Sequence, residues 1–311
     1  MKLIILGNGF DLNHKYKTSF NDFKSYLKKS KLEEEQLLVK QIDQLIKDRD
    51  KNGNIQWNNF EEIIGHRLDP SFQFRDMKGV NIYSLIEKFT EKFHFYISNL
   101  IKTKEFNINP NLIKEFEDFT SIISFNYTSF YTNYLKDNSE NNVFHIHGDM
   151  SENNLPIIGF YYEKISGNNS STDYSIKYSN RLIHKSALAF KQNEKNLDLD
   201  INQYANELKG KISEIVIMGY SFGESDSHIY KILNKIMIWQ NNDKNIPVSK
   251  SKEIRVVKIK IYSFDDIESE KIIKKIKNNF MKMERVISTN ITGVGFSSKI
   301  KDLVTFELVK Y

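Results

Sequence analysis

The sequence predicts an α/β protein with a doubly wound, mostly parallel sheet and a helical insertion. Short, continuously apolar runs recur along the chain, as is typical of parallel strands that are covered on both faces. Helical patterns alternate with these runs, which is the order of a doubly wound sheet. One long, almost wholly helical block separates the first two runs, so we expect an insertion or cap at about residues 32–118.

Six runs have strand character. The first is Lys2–Leu6, which ends on Gly-Asn-Gly. Residues 122–125, 143–146 and 215–218 follow, and then "EIRVVKIKIYSF" and "LVTFELV" close the series. No internal repeat and no clear linker divides the chain, so we expect one domain over residues 1–311.

Two helical patterns lie outside the insertion. "TSFNDFKSYLKK" is predicted to form a helix that Thr18 or Ser19 caps. "IESEKIIKKIKNNFMKM" places apolar residues at helical spacing and leaves its lysines on the outer face. These lysines belong to a basic segment, residues 250–285, which carries most of the net charge of +5. We interpret it as a solvated face; nucleic-acid binding is the alternative, which no interleaved aromatics support.

The composition excludes several classes of site. The chain contains no cysteine, so it has no disulfide, no thiolate metal site and no cysteine nucleophile. Cysteine-free chains fit a reducing compartment, and we expect a cytoplasmic protein. No apolar run approaches the ~18 residues that a membrane helix needs, so we expect no membrane association.

The stretch after the first strand is the first candidate binding site. Glycines at the carboxyl end of a first strand allow a tight turn and a close approach of the backbone to a phosphate. We expect the amides of this stretch to hold a pyrophosphate, with contacts from Gly7, Asn8, Gly9, Phe10 and Asp11. Leu12 stands where a full dinucleotide fingerprint has its third glycine, and a plain tight turn is the alternative.

Two further candidates follow the second and third strands. Asn126 lies just past a strand end, where open α/β sheets bind ligands, and Tyr127 is its neighbour. Asn126 could position a water or a ribose hydroxyl, or it could bond its own turn. In "HIHGD", His145 and His147 share one face of a strand, which is weak evidence for a metal. His147 is more simply a neutral imidazole at the crevice that accepts a proton, or a packed histidine.

"GYSFG" at residues 219–223 matches the nucleophile elbow of serine hydrolases. His228 is the only histidine after Ser221, and it lies too close along the chain to return as the base of a triad. A second phosphate or ribose loop that contains Gly219, Ser221 and Asp226 fits the same residues better. In "WNNFEEIIG", we expect Trp57 and Phe60 in a core, and Glu61 in solvent unless the insertion folds over the crevice.

Six stretches in one order resemble the AbiH-like family of bacterial abortive-infection, phage-defence proteins. They are "LIILGNGFDLNHKYKTSFNDF", "WNNFEE", "SFNYTSF", "HIHGD", "ALAFKQN" and "IVIMGYSFGESDSHIY", which extend to about residue 230. That family is similar to proteins with the sirtuin-like, Rossmann-like fold, which bind NAD. The similarity implies a glycine loop at Gly7 and Gly9, a strand-end Asn126 and a catalytic His147. "GYSFGESD" then matches the loop that holds the adenosine half. The four-cysteine zinc module of sirtuin deacylases is absent here.

The resemblance implies cleavage of NAD, or of a related nucleotide, at the N-glycosidic bond to nicotinamide. Asn126 is expected to position water or a ribose hydroxyl, and His147 to act as the base, without a metal. The expected partners are the nucleotide and a phage-derived trigger or a second copy of the chain. The alternatives are a non-enzymatic nucleotide sensor and a nucleic-acid-acting defence protein that uses the basic segment.

Overall fold

The computed structural model describes a core of strands and helices with several gaps between them. The described residues are 1–47, 57–68, 82–103, 105–117, 119–135, 143–147, 204, 207–208, 212–223, 229–230, 232–233, 257–290 and 304–311.

Six parallel strands form one sheet in the order β3-β2-β1-β4-β5-β6. They are β1 (Lys2–Leu6), β2 (Phe119–Ser124), β3 (Val143–His145), β4 (Glu214–Met218), β5 (Val257–Ser263) and β6 (Val304–Lys310). The prediction of a doubly wound α/β sheet is confirmed, and every described pairing is parallel. The direction of winding reverses between β1 and β4, and such a switch point opens a crevice at the carboxyl ends of the strands.

The apolar runs of β1 and β4 form strands that are buried on both faces. In β1, Leu3 and Ile5 join one hydrophobic cluster, whereas Ile4 and Leu6 join another on the opposite face. The central strand β4 divides in the same way along its length. Because successive side chains of a strand point to opposite faces, an unbroken apolar run requires a layer on each side of the sheet.

Seven α-helices with described bounds surround or extend this sheet. They are α1 (Asn8–Asn13), α2 (Phe20–Lys29), α3 (Glu33–Ile46), α4 (Trp57–Leu68), α5 (Ile82–Thr103), α6 (Pro110–Glu117) and α7 (Asp266–Asn290). The predicted cap of α2 is Ser19, whose hydroxyl accepts from the Asp22 amide while the Asp22 side chain accepts from the Ser19 amide. No helix among the described residues is long and apolar enough to cross a lipid bilayer.

The predicted helical block at 32–118 divides into two parts. Helices α3, α4 and α5 share an aromatic-rich core with α2, and Tyr127 from the loop after β2 enters this core. Helix α6 instead packs on the sheet, where Leu112 and Phe116 contact the cluster that contains Ile4 and Leu6. The inserted subdomain therefore rests on the loop that follows β2, whereas α6 belongs to the sheet's own helical layer.

Helix α7 carries the basic segment and has the amphipathic form that its sequence predicts. Ile272 and Ile276 are buried against the sheet, and Lys271 and Lys274 are exposed. Lys275 has a structural contact: its Nζ donates to the carbonyl oxygens of Ser221 (2.8 Å) and Phe222 (3.0 Å) in the loop after β4. This lysine is exposed and at the same time holds the β4 loop.

Candidate functional site

A cavity of about 480 Å³ lies at the carboxyl edge of the sheet. Its walls are the loops that follow β1, β2, β3, β4 and β5, together with the start of α2 and one face of α4. The volume lies within the usual range of ligand pockets, and the position at the switch point is where such sheets bind ligands. The cavity is therefore the candidate functional site.

The structure brings most of the sequence-predicted residues to this one cavity. Those that line it are Gly7, Asn8, Gly9, Tyr127, His147, Gly219 and Ser221. They come from four different loops, which follow β1, β2, β3 and β4 and meet at this cleft, whereas Asn126 is not among the lining residues. Asp226 and His228 lie outside the described residues.

The glycines at the centre of the cavity are needed because two loops cross without room for a side chain. A Cβ atom on Gly7 would lie 2.6 Å from the carbonyl oxygen of Gly219, and one on Gly9 would lie 2.7 Å from the Gly219 Cα. Gly219 itself has a φ of +61°, a left-handed conformation that favours glycine. A Cβ atom there would approach the Phe10 nitrogen to 2.1 Å.

Three backbone amides of the glycine loop are already engaged within the protein. Gly7 N–H donates to Met218 O (3.0 Å), Gly9 N–H to Gly219 O (2.9 Å) and Phe10 N–H to Gly7 O (2.8 Å). The expectation that the Gly7 and Gly9 amides hold a pyrophosphate therefore needs correction. In this structure the two glycines join the β1 loop to the β4 loop, and their N–H groups are not available to a ligand.

Phe10 and Asp11 also differ from their predicted place at the ligand surface. Phe10 is fully buried and packs against His14, Phe116 and Tyr134 on the far side of the loop. Asp11 is 1% exposed. Neither is among the residues that line the cavity. Both lie on α1, whose first turn directs these side chains into the protein.

Asp11 is the acceptor of a buried hydrogen-bond network. Asn126 Nδ2 donates to its Oδ1 (3.1 Å), and Thr128 Oγ1 donates to its Oδ2 (2.6 Å). Burial raises the pKa of Asp11 to about 7, although the two hydrogen bonds oppose this shift. The network joins the loop after β1 to the loop after β2, and Thr128 is a member that the sequence did not reveal.

Asn126 lies directly behind the cavity wall. Its side chain is 2% exposed, and its two neighbours in sequence, Phe125 and Tyr127, both line the cavity. With Nδ2 directed at Asp11, the Oδ1 atom is buried and accepts no hydrogen bond from the described residues. The alternative in which Asn126 bonds only its own turn does not describe this side chain, because its partner is 115 residues away in sequence.

The two histidines of "HIHGD" occupy different surroundings. His147 is 3% exposed, lines the cavity, and packs against Tyr127 with ring centroids 5.1 Å apart. His145 Nε2 lies 2.7 Å from the hydroxyl of Tyr131 and is not among the lining residues. Among the described residues, no three histidine, aspartate or glutamate side chains are grouped so that they could hold a metal ion.

The inserted subdomain contributes Trp57 and Glu61 to the cavity. Glu61 is 3% exposed, and Tyr127 donates its hydroxyl proton to Glu61 Oε1 at 2.8 Å. The indole N–H of Trp57 donates to Thr18 O at 2.8 Å. The insertion therefore folds over the crevice. Under this condition, Glu61 was expected to be buried rather than exposed to solvent. A sequence signal was present, because Trp57, Phe60 and Glu61 share one helical face.

Residues after β5 complete the wall, and sequence reasoning missed them. Phe264 and Glu268 line the cavity beside the β4 loop. Burial, followed by the charge of Asp265, raises the pKa of Glu268 above its usual value. Two carboxyl groups and one imidazole thus face the cavity, whereas no lysine or arginine is among its described lining residues. This charge distribution favours a ligand with cationic character near these groups.

The backbone of "GYSFG" does not match a nucleophile elbow. In that motif the strained residue is the serine itself. Here the residues with positive φ are Gly219 (61°) and Phe222 (54°), and Ser221 is not among the described residues with this conformation. Ser221 lines the cavity as one polar group among several, which agrees with the interpretation of this stretch as a ligand loop.

Comparison with known proteins gives one result. No curated protein and no solved structure is significantly similar to the chain. A family model described as bacteriophage abortive infection AbiH matches residues 3–119 and 72–246, which together cover most of the chain and include α1 to α6 and β1 to β4. The six ordered stretches that carried the sequence resemblance lie within this match, and the chain therefore belongs to the AbiH family of bacteriophage abortive-infection proteins.

Proposed function

We propose that the cavity binds NAD or a closely related nucleotide and cleaves the N-glycosidic bond to nicotinamide. The observation that carries this proposal is the charge of the site: His147, Glu61 and Glu268 line a cavity at the switch point, with no lysine or arginine among the described lining residues. The nicotinamide ring of NAD is cationic, and cleavage generates an oxocarbenium-like ribose. Carboxylates aimed at that developing charge lower the barrier.

The roles of the individual groups follow from where they lie. His147 is the base that takes a proton from the attacking water or ribose hydroxyl. Glu61, held by the Tyr127 hydroxyl, faces the ribose as the positive charge develops. Nicotinamide leaves as a neutral base, so the departing group needs no general acid. Asn126 lies behind the lining residues and contributes its carboxamide oxygen as a hydrogen-bond acceptor.

The phosphate half of the nucleotide requires a different account from the one expected from sequence. Because the Gly7 and Gly9 amides donate within the protein, neutral side chains take over this part of the ligand. Asn8, Asn21 and Ser221 line the cavity and offer hydrogen bonds to ribose and phosphate oxygens.

Membership of an abortive-infection family agrees with this reaction. Such a defence acts by stopping the infected cell, and loss of NAD halts the redox reactions that a phage depends on. The sirtuin-like resemblance of the motifs supports the same ligand, as does the strand order, which is that of dinucleotide-binding sheets.

Two measurements on the purified chain test the proposal. The first is chromatographic detection of nicotinamide after incubation with NAD. The second is a thermal shift against NAD, NADH, ADP-ribose, ATP and cyclic nucleotides, in which a ligand at 100 times its Kd adds about 2.7 kcal/mol of stability. We expect NAD to bind more tightly than NADH, because only the oxidised ring is cationic.

The outcomes separate the possible functions. Binding of NAD without release of nicotinamide would identify a nucleotide sensor rather than an enzyme. Equal affinity for NAD and NADH would contradict the role of the carboxylates. Binding of DNA or RNA that weakens steeply with salt, in the absence of any nucleotide effect, would favour the basic face of α7 and overturn the proposal.

A further inference from the structure

A buried carboxylate and a buried amide lie behind the wall of the candidate site, and neither is among the described residues that line the cavity. Asp11 and Asn126 are 1% and 2% exposed, and they come from the loops after β1 and β2. They are joined by the bond from Asn126 Nδ2 to Asp11 Oδ1 at 3.1 Å. Burial of a carboxylate costs free energy, so packing alone does not explain why an aspartate occupies this position.

The carboxylate fixes which end of the Asn126 amide faces it. The oxygen and nitrogen of a carboxamide have nearly the same shape, so hydrogen bonding alone decides their orientation. An acceptor-only neighbour such as ionised Asp11 attracts the NH2 group and repels the carbonyl oxygen. The second oxygen of Asp11 is occupied by Thr128 Oγ1 at 2.6 Å, which prevents the carboxylate from rotating away.

The opposite end of the amide is left without a partner. Asn126 Oδ1 is buried and accepts no hydrogen bond from the described residues. Buried acceptors are almost always satisfied, so an orphan of this kind indicates a donor that binds there. Both sequence neighbours of Asn126 line the cavity, so this acceptor lies next to it. A hydroxyl group of a bound ligand, or a water, is the kind of donor that the cavity could bring to it.

We infer that Asp11 is a positioning residue, which orients Asn126 so that its carboxamide oxygen accepts a hydrogen bond from a ribose hydroxyl or from the attacking water. This inference rests on the proposed function, since it assigns the donor to the bound nucleotide or its nucleophile. It also replaces the expectation that Asp11 contacts the ligand. Thr128 acts only on Asp11, by holding the carboxylate in place.

The first test uses nicotinamide release by three variants. Asp11→Leu removes the acceptor and keeps the branched shape of the side chain, so Asn126 is free to rotate, and we expect kcat to fall about tenfold or more while KM changes less. Asp11→Asn keeps a carbonyl oxygen for Asn126, and we expect it to restore activity to within about threefold of wild type. Glu87→Gln, which changes an exposed carboxylate away from the cavity, serves as the matched control and should leave the rate unchanged.

The second test does not depend on turnover. In a ¹⁵N spectrum, the side-chain amide of Asn126 should shift with pH as Asp11 titrates, with a midpoint near its pKa of about 7. We expect the shift to disappear in Asp11→Asn, and its midpoint to rise in Thr128→Val, because the Thr128 hydrogen bond lowers the pKa. Tyr16 and Tyr311 also sense the Asp11 charge, but their pKa values are raised and they stay neutral in this range.

The results test the positioning role of Asp11 separately from the proposed function. An Asn126 signal that does not titrate, or that still titrates in Asp11→Asn, overturns the positioning role even if Asp11→Leu proves unstable. A folded Asp11→Leu variant with the wild-type kcat would also overturn the positioning role. So would an Asp11→Asn variant that is as inactive as Asp11→Leu. If the wild type releases no nicotinamide and binds no nucleotide, the proposed function falls with the ligand part of this inference. The amide titration still tests the bond itself.

Discussion

The hydroxyl of Tyr127 donates to Oε1 of Glu61 at 2.8 Å, and this bond connects the loop after β2 to helix α4 of the inserted subdomain. Both residues line the same cavity, and the Tyr127 ring also packs against Trp57 and Phe93 of the insertion. The insertion therefore places a carboxyl group at a crevice that the sheet alone would leave without it.

Glu61→Gln should reduce nicotinamide release about 100-fold or more. The amide keeps the shape and can still accept from Tyr127. It removes the negative charge that, in the proposed reaction, stabilises the developing positive charge of the ribose. The matched control is Glu87→Gln on α5, which removes an exposed carboxylate away from the cavity and should leave the rate unchanged. Equal rates for wild type and Glu61→Gln would exclude Glu61 from the chemistry.

His147→Ala should lower kcat about 100-fold or more, because a positioned base typically contributes at least this factor. Asn126→Ala should also lose most of the activity. Neither change should alter the far-UV circular dichroism spectrum.

His145→Ala is the matched control. His145 contacts Tyr131 and is not among the lining residues, so this variant should release nicotinamide at the wild-type rate. Loss of activity in His145→Ala but not in His147→Ala would reverse the assignment.

Gly219→Ala should destabilise the protein by more than about 1 kcal/mol, as expected where alanine must adopt a positive φ. Overlap of the new Cβ with the Phe10 nitrogen adds to this cost. Denaturant unfolding measures the change, with Ser221→Ala in the same loop as the control. A Gly219→Ala variant as stable as wild type would mean that the loops do not cross as described.

Glu115→Gln should cost about 3 kcal/mol of unfolding free energy at pH 7. Burial alone would raise the pKa of Glu115, but hydrogen bonds from Lys260, Tyr262 and Lys2 outweigh it and lower the pKa from 4.5 to about 2. Because the pKa of Glu115 is lower in the folded than in the unfolded protein, its carboxylate stabilises the fold at pH values above the unfolded pKa. The difference between wild type and Glu115→Gln should therefore be constant above pH 4.5 and shrink as the pH falls towards 2.

A difference that stayed constant down to pH 2 would contradict this explanation. It would show that the ionised Glu115 carboxylate is not what the three donors stabilise. Glu117→Gln, on the same helix but exposed, provides the comparison at each pH.

The strands and their layering could be predicted because burial on both faces leaves a direct mark in sequence. β1 was predicted with its observed bounds, and Ser19 caps α2 as one of the two expected residues. Local features of this kind depend on neighbours a few positions away. The convergence of four loops on one cleft could also be predicted, since parallel strands bring their carboxyl ends to one edge of the sheet.

The roles of the glycines, of Asp11 and of Glu61 could not be predicted, because each depends on a partner distant in sequence. Gly7 and Gly9 meet Gly219, and Asp11 meets Asn126, across more than 100 residues. A glycine turn looks the same in sequence whether it approaches a phosphate or another backbone. Glu268 reaches the cavity from the helix after β5, and no local pattern distinguishes it from a solvated glutamate.

By itself, the sequence determined the family, the parallel sheet and the edge of the sheet at which the cavity lies, since motif order and apolar periodicity are properties of the chain taken in order. Only the tertiary structure decided which groups face the cavity and which support them from behind. The physical reason is that hydrogen bonds and burial depend on distance in space. Asp11, a predicted ligand contact, is instead a buried acceptor, and Glu61, an apparent surface residue, is part of the cavity wall.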